Sequence, residues 1–170
     1  MKDPLSPGER SKRMSLVRSK DTKPEMRVRR LVHAMGYRYH LHPKNLLGRP
    51  DIVFPRRRKI VFVHGCFWHQ HTCVMGARMP KSRIEFWQHK LYGNKKRDAK
   101  IRRRLCAAGW SVLVVWECQT TSRLDRLGKR LRSFLGAERQ RTRAPLLKGT
   151  RNRRRRLRAA SPQLEGHRTP

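Results

Sequence analysis

Acidic residues are scarce in this chain: 11 Asp and Glu stand against 44 Lys and Arg in 170 residues, a formal charge of +33. That imbalance says little about fold and much about partners, because the field of such a surface collects polyanions. Nucleic acid is the first candidate and an acidic membrane surface the second. The membrane reading is weakened by a second lack, since no apolar run approaches the ~20 residues that span a bilayer. The opening MKDPLSPGERSKR carries charges and prolines where a signal peptide needs an apolar stretch. A cytoplasmic, nucleoid-associated protein is therefore expected. Cysteines are also few: Cys66, Cys73, Cys106 and Cys118. In a reducing compartment such cysteines serve more often as metal ligands or buried thiols than as disulfides.

A length of 170 residues suits one domain with a real core. After Gly136 aromatic residues vanish and apolar ones become rare, while eleven Lys and Arg face two Glu. Such a segment buries too little apolar surface to offset its ordering entropy, so 137–170 is expected to be a disordered basic tail behind a domain over 1–136. Its arginines add nonspecific affinity for phosphates. No internal repeat is present.

Within 1–136 the periodicities alternate. A helix is expected over Pro24–Met35, with Val28, Leu31, Val32 and Met35 on its apolar face and Gly36 ending it. Tyr37–Leu41 reads as a short strand. Gly48-Arg49-Pro50 is a turn signal before a strand Asp51–Phe54. Arg56-Arg57-Arg58 makes a basic, hairpin-like connection to a strand Ile60–Val63. A long helix is expected over Ile84–Ala107, with Phe86, Trp87, Leu91, Ile101 and Leu105 at apolar positions and Gly93 weakening its middle. Ser111–Trp116 (SVLVVW) reads as a central buried strand, and Leu124–Leu135 as an amphipathic helix. The order predicts an α/β sandwich around a mixed sheet.

The densest stretch is VFVHGCFWHQHTC, residues 61–73, directly on a strand end. Cys66, His71 and Cys73 lie within eight residues, and Cys118 follows the strand 111–116. A Cys3His set is the closed tetrahedral shell of structural zinc, which would tie the polar loop 64–73 to the last strand. The plainer alternative is buried thiols beside incidental histidines. His69 lies within reach as a substitute for His71, and Cys106 on the long helix reads as a core thiol. Asp51 opens an apolar strand, and a strand-end carboxylate can hold Mg2+ while water, a carbonyl and a phosphate complete the shell. A turn cap or an arginine salt bridge is the alternative. His64 and His69 suit a general base or a phosphate clamp. Phe67-Trp68 and Trp87 can wedge between base steps or simply pack in a core, which is the reading for Phe86 and Trp116.

Taken together these residues resemble the very short patch repair (Vsr) DNA mismatch endonucleases, over about Arg10 to Cys118. The carriers are RSKRM (10–14), Asp21-Thr22 with Glu25, GRPD (48–51), HGCFWH with H-x-C (64–73), EFW (85–87), N-K-x-R-D (94–98) and WEC (116–118). The resemblance implies a restriction-endonuclease-like core lacking the distal Glu-x-Lys pair, and here the equivalent strand reads Phe62-Val63-His64. It implies Mg2+ on Asp51 and the Val63 carbonyl, with Glu25 acting through water. It implies His69 as activator of water, oriented by Asp98, and His64 on the scissile phosphate. Phe67, Trp68 and Trp87 would intercalate beside a T:G mismatch, with Met14 of the DNA-contacting segment 1–20 entering from the other groove. Structural zinc would sit on Cys66, His71, Cys73 and Cys118.

The implied reaction is a nick 5′ of the thymine left by deamination of 5-methylcytosine, made by a monomer on duplex DNA. A cytosine-5 methyltransferase and the repair machinery are the implied functional partners. Val63 stands where a Thr is common in the family, which is harmless if only its carbonyl acts. Two rival readings are a non-catalytic, zinc-stabilised nucleic-acid-binding protein and a zinc hydrolase for small substrates. The first leaves Asp51, His64 and His69 unexplained, and the second has no use for the charge.

Overall fold

The computed structural model describes residues 6–18 and 20–137. The expected disordered tail lies outside the described residues, Ala137 excepted, as do residues 1–5 and Ser19.

Two helices come first, α1 (Pro7–Ser15) and α2 (Lys23–Ala34). The first was not expected from periodicity, because its described side chains are exposed and its sequence has no apolar stripe. Its signal is a capping box: Ser6 Oγ accepts from the Glu9 amide at 3.3 Å, and the Glu9 carboxylate accepts from the Ser6 amide at 2.8 Å. The second begins one residue earlier than expected, with Thr22 Oγ1 accepting from the Glu25 amide at 3.4 Å. Its Val28 and Val32 are fully buried, and Leu31 and Met35 pack beside them, as the spacing predicts.

Four strands follow in spatial order β1 (His40–Leu41), β2 (Ile52–Phe54), β3 (Lys59–His64) and β4 (Ser111–Trp116). The first three pair antiparallel and the last pair is parallel, with His64 opposite Trp116. The long helix α3 (Ile84–Ala107) makes the crossover between the parallel strands. A short α4 (Gln119–Ser122) and the amphipathic α5 (Leu124–Leu135) close the described residues. The sheet is covered on both faces. On one, Ile52, Phe54, Val61, Val63, Leu113 and Val115 meet Val28 and Val32 of α2 and Leu127, Leu131 and Leu135 of α5. On the other, Val53, Ile60 and Phe62 meet Leu105 of α3, with Ile101, Val112 and Val114 packed alongside. This is the expected α/β sandwich with a mixed sheet.

Several expectations are corrected. Ser111–Trp116 lies at the edge of the described sheet, not its centre, and its side chains alternate between the two layers. The run reads as continuous because helices cover both faces, so every position is apolar whichever way it points. Only His40–Leu41 of Tyr37–Leu41 is strand, while Tyr37 buries its ring edge-on to Phe54. On α3, Cys106 is exposed and is not a core thiol, because the helix buries Leu105 and turns its next residue outward. Phe86 is 49% exposed at the overhanging start of the same helix, so it is not a core residue either. Trp116 is half-buried and stacks against a histidine instead of entering the core.

The basic triplet makes the expected hairpin-like connection: a short 3-10 turn (Pro55–Arg57), with Arg58 at φ 53°, joins the antiparallel pair β2 and β3. Its cations close helix ends. Arg57 donates to the carbonyls of Leu135 and Ala137, both at 2.9 Å, and the Lys59 ammonium donates to that of Phe134. Arg58 donates to the carbonyls of Ala108 and Gly109 beyond α3. These carbonyls have no partners within their helices, and positive charge suits a helix C-terminus. Among the described residues no helix is long and apolar enough to cross a membrane.

Candidate active site and metal cluster

The C-terminal end of β3 gathers most of the residues singled out by sequence. Asp51 stands just before β2, behind the turn in which Arg49 takes φ 48° and Pro50 is buried. Its Oδ2 accepts from the Val63 amide at 2.7 Å, which brings the carboxylate to the residue whose carbonyl was expected to share a cation with it. Burial pushes the Asp51 carboxyl up to about 6, against the Val63 hydrogen bond that lowers it. A carboxylate so placed gains from a hard cation, which offsets the cost of holding charge away from water. Glu25, 3% exposed, lies near enough to raise the Asp51 carboxyl further. It is also held by the Arg29 guanidinium at 2.9 Å.

His64 ends β3, and its ring stacks on that of His69, centroids 3.8 Å apart and planes 11° from parallel. Burial, then the neighbouring His69, push His64 down to about 4. The Nδ1 of His69 is bonded to the Asp98 carboxylate of α3. Burial works to raise Asp98, but the His69 bond and the charges of His69, His64 and Arg97 outweigh it, so its pKa lies below the ordinary carboxylate value. One turn earlier on the same face of α3, the buried Asn94 donates to the Trp68 carbonyl at 3.0 Å. Two residues spaced i, i+4 thus hold two consecutive loop residues, Trp68 and His69. Asn94 had no role by sequence, although it stands in the same N-K-x-R-D run as Asp98.

The loop after β3 turns Cys66, His71 and Cys73 toward Cys118, which follows β4. The side-chain donors of Cys66, His71, Cys73 and Cys118 all lie within 4.8 Å of one another. His71 Nδ1 is 3.8 Å from Cys66 Sγ and 3.6 Å from Cys118 Sγ. A tetrahedral ion with Zn–S about 2.3 Å and Zn–N about 2.0 Å sets its S and N ligands about 3.6 Å apart, so the shell fits such an ion. Hydrogen bonds from His71 and the Gly76 amide draw the Cys73 thiol down to about 6, whereas burial pushes Cys66 up to about 12. His69 is not part of this group, which removes it as the substitute ligand: its ring turns to His64 and Asp98 instead. The His71 ring stacks on Trp116 at 4.4 Å, and Glu117 accepts from the Cys66 amide at 3.2 Å. Gly76 is a further residue that sequence reasoning passed over. A Cβ there would come within 2.1 Å of the His71 carbonyl oxygen, so the loop closes only around glycine.

Phe67, Trp68 and Trp87 form a half-buried cluster of their own, with centroids 5.1 to 6.0 Å apart, outside both core clusters. Phe86 extends it outward beneath the Arg83 guanidinium. Met14 on α1 is 42% exposed. Among the described residues two more groups could hold an ion, His64 with His69 and Asp98, and Asp21 with Glu25 and His42.

Residues 2–75 match the family model described as DNA mismatch endonuclease Vsr. The chain is 52% identical over 135 residues to a type II nicking enzyme, V.XorIIP, of Xanthomonas oryzae pv. oryzae, covering 79% of this chain and 98% of that relative. It is 39% identical to the type II nicking enzyme V.NmeAIP of Neisseria meningitidis, over 81% of this chain and 99% of that one. It is 40% identical to the DNA mismatch endonuclease Vsr of Escherichia coli K12, over 67% of this chain and 72% of that protein.

Proposed function

Because the chain belongs to the Vsr family of DNA mismatch endonucleases, and so cleaves DNA phosphodiester bonds, we propose that it nicks duplex DNA 5′ of the thymine in a T:G mismatch. The mismatch would be that left by deamination of 5-methylcytosine, and the nick would start short-patch repair. The observation that carries this reading is the meeting of Asp51, His64 and the His69–Asp98 pair at one strand end.

Asp51 and the Val63 carbonyl would hold Mg2+, with Glu25 reaching the same place through water. Bound there, the cation supplies charge neutralisation and Lewis-acid polarisation at the scissile phosphate. His69 takes the proton from the attacking water. Its Nδ1 is tied to Asp98, which leaves Nε2 as the accepting nitrogen and stabilises the imidazolium that forms. As the water oxygen bonds to phosphorus, the bond from phosphorus to the leaving oxygen breaks. His64 contacts the phosphate, and its stacked ring keeps the base from rotating. Phe67, Trp68 and Trp87 present a ready-made aromatic wedge for the mismatched step, and Met14 a second one. Structural zinc on Cys66, His71, Cys73 and Cys118 would pin the loop that carries His69 and the wedge. The protein would act as a monomer in the cytoplasm on nucleoid DNA, in step with a cytosine-5 methyltransferase.

The test is a nicking assay on matched and T:G duplexes with Mg2+ or with EDTA. Mg2+-dependent nicking confined to the T:G duplex is expected. Equal cleavage of both duplexes sinks the mismatch reading, and nicking unaffected by EDTA sinks the metal reading.

A further inference from the structure

Beside Asp51 lies a second set of polar groups, of which the proposed reaction uses only Glu25. The Arg29 guanidinium, 5% exposed, is at its centre. One terminal nitrogen is bonded to Asp21, and the other lies 2.9 Å from Glu25 Oε2 and 2.8 Å from His42 Nε2. The Asp21 amide donates to the same Glu25 oxygen at 2.9 Å. The Arg29 Nε is a buried donor without a partner, so the arrangement is kept at a cost.

A guanidinium can only donate. The His42 Nε2 that it contacts therefore accepts, which puts the ring proton on Nδ1. That Nδ1 faces Asp51 Oδ1 at 3.9 Å. The other oxygen of the same carboxylate is already taken by the Val63 amide. The distance is longer than a direct hydrogen bond, but an N–H dipole so close still favours one rotation of the carboxylate, through its field or across a water. The backbone supports the same reading. His42 takes φ 43°, and Asp21 φ 54°, in the left-handed region that side-chain-bearing residues rarely adopt. Such conformations persist where the surrounding structure over-determines them, and they cluster at functional sites.

We infer that His42 is a positioning residue for the Asp51 carboxylate, presenting Nδ1–H to Oδ1 while Arg29 fixes that tautomer from the far side of the ring. Asp51 is then held at both oxygens, by a backbone amide and by an imidazole, before any cation arrives. Glu25, bound to the same guanidinium, is placed by the same residue, so Arg29 sets two carboxylates at once. This rests on the reading of Asp51 as a cation ligand.

The experiment uses Mn2+ as a paramagnetic stand-in for Mg2+. It is titrated into the zinc-loaded full chain bound to an already nicked T:G duplex, with free Mn2+ counted by its EPR signal. Single-turnover nicking against Mg2+ concentration is measured in parallel. His42→Gly and His42→Asn both suit the left-handed backbone, but only Asn carries an N–H near the position of the ring Nδ1. For His42→Gly the metal concentration at half-saturation should rise roughly tenfold, and for His42→Asn by no more than about threefold, with the loss concentrated there rather than in the saturated rate. Thermal unfolding checks each variant, and His42→Ala replaces the glycine variant if that one is unfolded. Wild-type Mn2+ affinity in the glycine variant overturns the inference, as does an equal loss in the glycine and asparagine variants. Asp51→Asn serves as the control. If it binds Mn2+ like the wild type, the cation assignment falls and this inference with it, whereas loss in Asp51→Asn alone overturns only the role of His42.

Discussion

The stacked rings of His64 and His69 differ in one respect: His69 bears the Asp98 carboxylate on its Nδ1, whereas His64 is pushed by burial down to about 4. Two like side chains in van der Waals contact are thereby given different chemistry. Asp98→Asn keeps the size of the side chain and removes the charge that favours an imidazolium on His69. Nicking of a T:G duplex should fall by roughly 100-fold, the scale of a lost general base. Affinity for the duplex, read by gel shift, should change little. A nicking rate within twofold of wild type, about the noise of such an assay against the effect expected, removes His69–Asp98 as the base.

Asp51→Asn should lower nicking by about 1000-fold or more, because a neutral amide holds a hard cation poorly where a carboxylate oxygen would bind it. Binding to the T:G duplex should persist or tighten slightly, since a carboxylate beside phosphate repels it. Wild-type nicking by this variant would remove Asp51 from the reaction.

Cys73→Ala should lose its metal and its solubility together. Binding of a structural zinc ion is folding free energy, on the order of 10 kcal/mol in small zinc peptides. Elemental analysis of wild-type protein purified without chelator should show zinc, and the alanine variant should show none. Metal-free wild-type protein that is folded and active would dispose of the cluster as a zinc site.

Trp68→Ala should separate recognition from chemistry. Stacking of a base on an aromatic ring is worth ~1–3 kcal/mol, so the preference for T:G over matched duplex should shrink while zinc content stays whole. An unchanged preference would return Trp68 to the role of packing partner for Phe67 and Trp87.

The sequence made the elements around β3 readable, because the strands are continuous apolar runs and the helices packed on them carry period-3.6 apolar patterns. It also made the Cys/His cluster readable: Cys66, His71 and Cys73 are close along the chain, and Cys118 follows the next apolar run. What it hid were relationships that exist only across the fold. Arg57 and Arg58 read as part of a cationic surface, yet they cap helices that end 78 and about 50 residues later in the chain. Arg29 and His42 read as two more basic residues in a chain full of them, because nothing local says that α2 turns one toward the other. Cys106 and Leu105 are neighbours in sequence, and only the orientation of α3 decides which of them is buried. The first helix was hidden for the opposite reason. Its evidence is wholly local, the Ser6–Glu9 box, and carries no apolar pattern to draw notice.

The pairing of β3 with β4 and β2 has a bearing on when this protein can cut at all. Val63 reaches back to Asp51, His64 lies opposite Trp116, and Cys66 follows two residues on, all counted from one strand. A slip of β3 by a single residue would turn each of these side chains to the opposite face. The carboxylate would lose its amide, the stacked histidines would part, and the cysteine would leave its cluster in the same step. A copy with that strand out of place would therefore lose all three arrangements together. Strand alignment is thus a condition for the proposed site as a whole and not for any one of its parts.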